Sequence, residues 1–427
     1  MLLPAIVPNF MPEFQKKSRF LLLLPLVFLI AGTGLQTHAA QASSAPVRVF
    51  CADPQTLAAS KNALASGDPA LKSALDQLLK DANARLDQKP PSVMEKRQVP
   101  PSGDKHDYLS QAPYFWRDTN SPDGKYVRHD GERNPESNAD SDAGRLGKVC
   151  SGVHALGLAY YFSGDEKYAA KATEFVRVFF LNPSTRMNPN LKYGQGIPGE
   201  VEGRPAGLIS ARGLADLVDG IGLLAGSTSW TEVDQQKMTA WAADYFQWLT
   251  TSKIGLGEDA ASNNHGTHYD VQAVSLALFI GNTNYAREHL LAARSRRIAQ
   301  QIEPDGKMPR ELARTLSFGY SVFNLRAEMN LADLGRAAGV DLWHYQTADG
   351  RSILKATEFM APYADPQRKW PYQQIHKESR SDLHELLLRA AVEYPDSEPV
   401  RDALKFVKPE ANNSEQLYLK LMTAPPR

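Results

Sequence analysis

The sequence predicts an all-α fold, an α/α toroid in which helical hairpins ring a cleft. Three observations carry this reading. Apolar runs after Ser43 keep helical period, alternating β-type runs are scarce, and one hairpin pattern occurs twice.

In chain order the first feature is the N-terminus. Lys16, Lys17 and Arg19 precede Phe20–Ala31, twelve residues without a polar side chain, and Ala40-Gln41-Ala42 has the small-x-small form of a signal-peptidase site. A membrane-spanning helix needs about twenty apolar residues, so residues 1–42 read as a secretory signal and not as an anchor. Met11 is a more usual start for such a signal than Met1. Taking Lys16, Lys17, Arg19 and Glu13 away from 48 basic and 48 acidic residues leaves a mature chain, 43–427, with two more acids than bases. That balance speaks against a nucleic-acid partner, and an anionic polymer would have to be held by a local basic cleft. Cys51 and Cys150 are the two cysteines. They form no CxxC pair, which argues against a cysteine-held zinc site and leaves either a disulfide or two buried thiols.

The helical reading starts at Val149, Val153, Leu156 and Tyr160, which recur at helical spacing, as do Tyr168, Ala172, Phe175 and Phe179. Ser163-Gly164-Asp165 between them offers a glycine to end one helix and an aspartate to cap the next. The pattern F-x-G-[DN]-x-x-Y-A of Phe162–Ala169 returns 117 residues later at Phe279–Ala286. Further helical runs fall at 208–226, 231–252, 267–280, 284–302, 316–338, 351–362 and 380–394. Residues 88–138 interrupt the pattern. They are rich in Pro, Gly, Asp and Asn yet hold Tyr108, Tyr114, Phe115, Trp116 and Tyr126. Such a loop is either a lid whose rings stack on a ligand such as a sugar, or a segment that its rings anchor to the core.

The densest group of chemically able side chains is Ser262-Asn263-Asn264-His265-Gly266-Thr267-His268-Tyr269-Asp270, just before an apolar helix. Taken in isolation the cluster reads as a plain polar cap; the other reading is an Asn-His pair that faces a cleft with help from the helix dipole. A second group, Arg310 to Ser321, follows some forty-five residues on. His265, His268 and Asp270 are chemically able to bind a metal. The histidines lack the i, i+4 spacing of zinc peptidases and no Glu follows His265, so no metal is assigned.

Several blocks taken in order carry a resemblance. They are Asp107–Trp116 (DYLSQAPYFW), Asp130–Glu136 (DGERNPE), Asn263–Asp270 (NNHGTHYD), Arg314-Thr315 with Tyr320-Ser321, and Lys369–Ile375 (KWPYQQI). Together these resemble alginate lyase-type polysaccharide lyases, nearest to family 38 and more distantly family 5, over about residues 100–390. The resemblance implies an α/α toroid, a polyuronate substrate, no cofactor, and an Asn-His-Arg-Tyr catalytic set carried onto Asn264, His265, Arg314 and Tyr320. Tyr114, Trp116, Arg204, His268, Arg310 and Gln374 are the candidate substrate-binding residues. At His268 many relatives are expected to hold Trp or another aromatic, which leaves the contact there open.

The implied chemistry is metal-independent β-elimination. Asn264 with Arg314 or a protonated His265 would neutralise the uronate carboxylate, and a base and an acid would serve C5 and the C4 oxygen. Tyr320 suits either task, and its pKa is expected to fall beside Arg314. Six helical residues turn through about 240°, so Arg314 is placed before the helix that carries Tyr320. Two other classes compete. A non-catalytic helical-repeat protein binding glycans or peptides needs none of the four groups. A toroid glycoside hydrolase needs two cleft carboxylates, such as Glu202 with Glu311. Export is the first testable expectation: the mature protein, periplasmic or secreted, begins near Ala40 to Ser43. N-terminal sequencing that finds Phe20–Ala31 intact in the purified cellular protein would contradict it.

Overall fold

The computed structural model describes residues 46–423 apart from 121, 139, 411 and 412. The signal reading of residues 1–42 therefore lies outside the described residues. The helices are α1 (Pro54–Ala65), α2 (Pro69–Leu86), α3 (Asp142–Ser163), α4 (Glu166–Val176), α5 (Leu214–Gly222), α6 (Glu232–Thr251), α7 (Lys253–Asp259) and α8 (Asn264–Phe279). They continue with α9 (Thr283–Ala293), α10 (Ala299–Gln301), α11 (Pro309–Leu312), α12 (Ser317–Ala338), α13 (Ile353–Met360), α14 (Leu383–Glu393), α15 (Glu398–Ala403) and α16 (Ser414–Tyr418). The all-α hairpin architecture read from periodicity is the one observed.

The repeated motif is a repeated capping device. Gly164 ends α3 at φ 72°, and the Asp165 side chain accepts from Lys167 N–H at the start of α4. Gly281 has φ 83°, and the Asn282 side chain accepts from Tyr285 N–H at the start of α9. A side chain other than glycine pays for this left-handed geometry, and an unfilled helix N-terminus leaves N–H groups bare, so both positions are dictated locally. The 284–302 run differs from expectation in one respect. It breaks after α9 into a π-turn, Arg294–Ile298, before α10.

The anchoring reading of the 88–138 segment holds for Tyr108. Strand β1 (Leu109–Gln111) pairs in parallel with β4 (Tyr193–Gly196), and β2 (Phe115–Arg117) pairs antiparallel with β3 (Tyr126–Arg128). Tyr108 is fully buried and anchors the segment, whereas Tyr114, Phe115, Trp116 and Tyr126 stay half-buried. Cys51 and Cys150 are both free thiols. Among the described residues no helix is long and apolar enough to cross a membrane.

Helix α8 lies deepest, packed by α5, α6, α7, α9 and α12. Every one of its residues is buried except His265. Its polar groups must therefore be satisfied inside the protein. Asp270 takes Arg297 Nε at 2.8 Å and Nη2 at 2.9 Å, and His289 Nε2 lies 2.8 Å away. Arg297 passes so close that a Cβ on Gly266 would stand 2.6 Å from its Nη1 and 2.0 Å from the Ala261 carbonyl. Glycine is needed there for space.

Glu328 on α12 is buried, and neither carboxyl oxygen has a hydrogen-bond partner. Burial pushes its pKa up to about 8, with Arg297 opposing the shift and Asp270 adding to it. The native state thus holds a proton that the unfolded chain releases near pH ~4.3. Stability from this group is complete below that pH and declines as pH rises toward 8, by at most about 1.4 kcal/mol per pH unit. Glu328→Gln should flatten that decline and be the more stable protein at pH 8. Urea unfolding at several pH values checks this, and parallel curves for the two proteins would refute it.

Candidate active site

The first half of the site is the N-terminal turn of a buried helix, where His265 alone is half-buried. Asn263 caps α8, its side chain accepting from His265 N–H at 3.3 Å. Asn264, only 1% exposed, donates its backbone N–H to Glu311 Oε1 at 2.7 Å and its side-chain amide to Glu311 Oε2 at 2.6 Å. One amide hydrogen and the amide oxygen of Asn264 are left uncommitted by these bonds. His265 places Nδ1 2.6 Å from Glu258 Oε1, and Glu258 is buried. Burial pushes the Glu311 carboxyl up, and the bonds from Asn264 pull it back.

The second half is carried by α11 and α12. Arg314 lies in the turn between them, as the 240° argument requires. Its guanidinium grips Asp130 with Nη2–Oδ1 at 2.6 Å and Nε–Oδ2 at 3.0 Å, and it stands 3.6 Å above the Tyr320 ring. Thr315 adds a bond from Oγ1 to the Asp130 carbonyl at 2.6 Å. Gly131, at φ 79°, has its Cα so near Thr315 that a Cβ would stand 2.5 Å from Oγ1. The Tyr320 hydroxyl donates to the Tyr114 hydroxyl at 2.8 Å. Glu311 therefore joins the two halves: it seats Asn264 and sits three residues before Arg314.

The expected fall in the Tyr320 pKa is corrected by this geometry. Burial, then the hydrogen bond with Tyr114, pushes the phenol well above its usual value, and Arg314 opposes only part of that. The arginine's charge is shared with Asp130. Burial works against the Asp130 charge too, yet the hydrogen bonds from Arg314 and Thr315 outweigh it and hold the carboxyl well below the usual range.

The candidate binding residues fall in different places. Tyr114 meets Tyr320 directly. Trp116 donates Nε1–H to the Glu132 carbonyl at 3.0 Å, within the same loop. Arg204 donates to Gln195 Oε1 at 2.8 Å and lies 4.9 Å from the centre of the Phe115 ring. Arg310 reaches the Ser262 carbonyl at 2.5 Å, at the rim of the Asn264 cluster. His268 is one turn inside α8, 4% exposed, with its ring tilted 33° against Phe323 and ring centres 4.0 Å apart. Burial, and then the nearby positive charge of Arg212, lower its pKa well below normal, which keeps it neutral. Gln374 caps α12, accepting from Phe318 N–H at 3.2 Å. The three residues weighed as metal ligands turn to separate partners: His265 to Glu258, His268 to Phe323, and Asp270 to Arg297 and His289. Glu311, offered as a hydrolase carboxylate, is buried against Asn264, while Glu202 is exposed.

A cavity of about 800 Å³ is lined by Pro113 and Arg133, which stand beside Tyr114 and close to Asp130 along the chain. Arg212 and Arg326 line its wall. Among the described residues Arg133, Arg204, Arg212 and Arg310 form no ion pair, whereas Arg326 is held by Glu385 at 3.0 Å. Sequence reasoning did not assign Glu258, Glu311 or Asp130 their places. The signal available was an acidic residue inside an otherwise apolar or glycine-rich stretch, as in Ile254-Gly255-Leu256-Gly257-Glu258.

The helical-hairpin fold and its grouping of an amide, an imidazole, an arginine and a phenol set the chain beside the toroid polysaccharide lyases for comparison. The sequence profile of the alginate lyase family matches residues 92–370, and the chain belongs to that family. The match is to alginate lyases as a group and does not separate families 38 and 5. A crystal structure of an alginate lyase from Bacteroides ovatus is 39% identical, covers 87% of this chain and 99% of its own, and has a TM-score of 0.82. Alginate lyase A1-III from Sphingomonas species A1 is 16% identical over 88% of this chain and 98% of its own, with a TM-score of 0.55. A variant of A1-III complexed with tetrasaccharide, 16% identical over 89% of this chain and 98% of its own, gives 0.58. These two share the fold. No curated protein sequence matches the chain.

The Asp130 contact yields a prediction. A charge-assisted hydrogen bond is worth about 1.5–3 kcal/mol, so Asp130→Ala should release the loop that carries Tyr114 and Trp116. Limited proteolysis should cut the variant faster near β2 and β3. Because the Asp130 pKa is depressed, wild-type protection is present at neutral pH and persists until well below the ordinary value of ~3.9. Equal protease resistance in the two proteins would contradict the contact's role.

Proposed function

We propose that the mature chain is exported and cleaves a polyuronate, alginate or glucuronan, by β-elimination without a metal. The observation that carries this is the meeting, across Glu311, of the Asn264-His265 tip with the Arg314-Tyr320 pair. A uronate's C5 proton is hard to remove while its C6 carboxylate is charged, since the enolate would carry two negative charges. The free amide hydrogen of Asn264, with Arg314 or a protonated His265, offsets that charge. The unpaired arginines near the cavity suit the carboxylates of neighbouring sugars.

Tyr320 then moves the protons. Its raised pKa makes it a phenol at neutral pH, ready to protonate the C4 oxygen as the C4–O bond breaks. To take the C5 proton first it must become phenolate, and substrate must then displace part of the Tyr114 and Asp130 environment that disfavours the anion. In mannuronate and glucuronate polymers the C5 hydrogen and the leaving oxygen share one side, so Tyr320 serves both. In guluronate they are opposite, and His265 is the base.

Tyr320→Phe keeps the ring under Arg314 but removes the hydroxyl. Turnover should drop by about 10²–10⁴-fold or more while circular dichroism stays native. His265→Ala should reduce guluronate cleavage further than mannuronate cleavage, and Asn264→Ala should slow all substrates. Activity is read as the absorbance of the conjugated, unsaturated uronate end. EDTA should leave it nearly unchanged. Wild-type turnover by folded Tyr320→Phe, or loss on EDTA restored only by metal, would defeat the proposal.

A further inference from the structure

We infer that Glu258 is the positioning residue that selects the working tautomer of His265, with the Nδ1 proton held by Glu258 and Nε2 left bare. The inference rests on the lyase reading for its consequence in catalysis, though its geometry stands apart from it. His265 is the one residue of α8 that is not buried, with its side chain 23% exposed. Glu258, on α7, is 3% exposed, and its Oε1 lies 2.6 Å from His265 Nδ1. A carboxylate can only accept, so the nitrogen facing it must carry the hydrogen. In a neutral imidazole the other nitrogen is then an acceptor, and Nε2 is the atom left for substrate.

The surroundings favour this arrangement. An unpaired buried carboxylate is costly, and Glu258 is buried on α7 with His265 as its hydrogen-bonding partner. Arg204 supplies positive charge to Glu258, Glu311 lies close enough to interact with His265, and His268 faces it from the same helix. When Nε2 takes a proton from C5, the new imidazolium is paired at once with a carboxylate already in place. When His265 instead holds the uronate carboxylate, the same contact keeps the ring oriented toward it. Glu258 serves either role by turning one nitrogen inward.

The test begins with wild-type protein, so it does not depend on a variant folding. Nitrogen-15 NMR of the histidine side chains, with His265 assigned by its absence in His265→Ala, should find the neutral ring protonated at Nδ1. A ring protonated at Nε2, with the shared proton on Glu258, would overturn the inference. Next, Glu258→Gln should lower kcat on the preferred polymer by about tenfold or more, bounded by the ~10²–10⁴-fold of a general acid–base group. Glu258→Asp should recover part of the loss. The double variant with His265→Ala should be no slower than His265→Ala alone, because both changes remove one device. Multiplying losses would mean that Glu258 acts elsewhere and would overturn the assignment. If wild-type protein forms no unsaturated product from any polyuronate, the lyase reading fails while the tautomer result remains.

Discussion

The site depends on one buried carboxylate having no other place to put its charge. Helix α8 begins inside the protein, and the first N–H groups of any helix lack partners within it. Glu311 supplies the acceptor, taking both the backbone and the side-chain N–H of Asn264. Since Glu311 belongs to the short turn that leads to Arg314, seating α8 also sets where the arginine emerges. Two segments almost fifty residues apart are thereby held as one unit. Removing the carboxylate would leave bare N–H groups in a dry interior, and replacing Asn264 would leave a bare carboxylate.

From that joint, charge is distributed inward and outward. Inside, Asp270 and Arg297 neutralise each other, and Glu328 avoids the problem by keeping a proton. Outside, Arg314 divides its charge between Asp130 and the face of Tyr320. The resting site therefore contains a neutral phenol beside a restrained arginine. A substrate carboxylate that competes with Asp130 for Arg314 would alter the phenol's surroundings at the moment of binding. The loop that carries Asp130 also carries Tyr114 and Trp116, so the aspartate that restrains Arg314 also ties that loop to the site.

Much of this was legible from residue order. The Gly164-Asp165 and Gly281-Asn282 signals are local, because a left-handed C-cap and a side-chain N-cap depend on nearest neighbours. The position of Arg314 ahead of its helix followed from angular spacing once the family resemblance had paired it with Tyr320. The roles of Glu258, Glu311 and Asp130 did not, since each depends on which distant group its carboxylate meets in the folded chain. The Tyr320 pKa was misjudged for the same reason. The family resemblance pairs Arg314 with the phenol, but residue order does not disclose the burial or the Tyr114 hydroxyl that outweigh it. Tyr108 and Tyr114, six residues apart in one loop, likewise took opposite fates, one in the core and one at the site.

The central claim is that the Asn264-His265 tip and the Arg314-Tyr320 pair address the same sugar. A crystal structure of Tyr320→Phe soaked with a uronate tetrasaccharide tests it most directly. The account predicts one uronate whose C6 carboxylate meets Asn264 together with Arg314 or His265, its C5 beneath the ring of residue 320, and neighbouring sugars extending toward Arg133 and Arg212. An ordered tetrasaccharide with no uronate carboxylate within hydrogen-bonding distance of Asn264, His265 or Arg314 would contradict it.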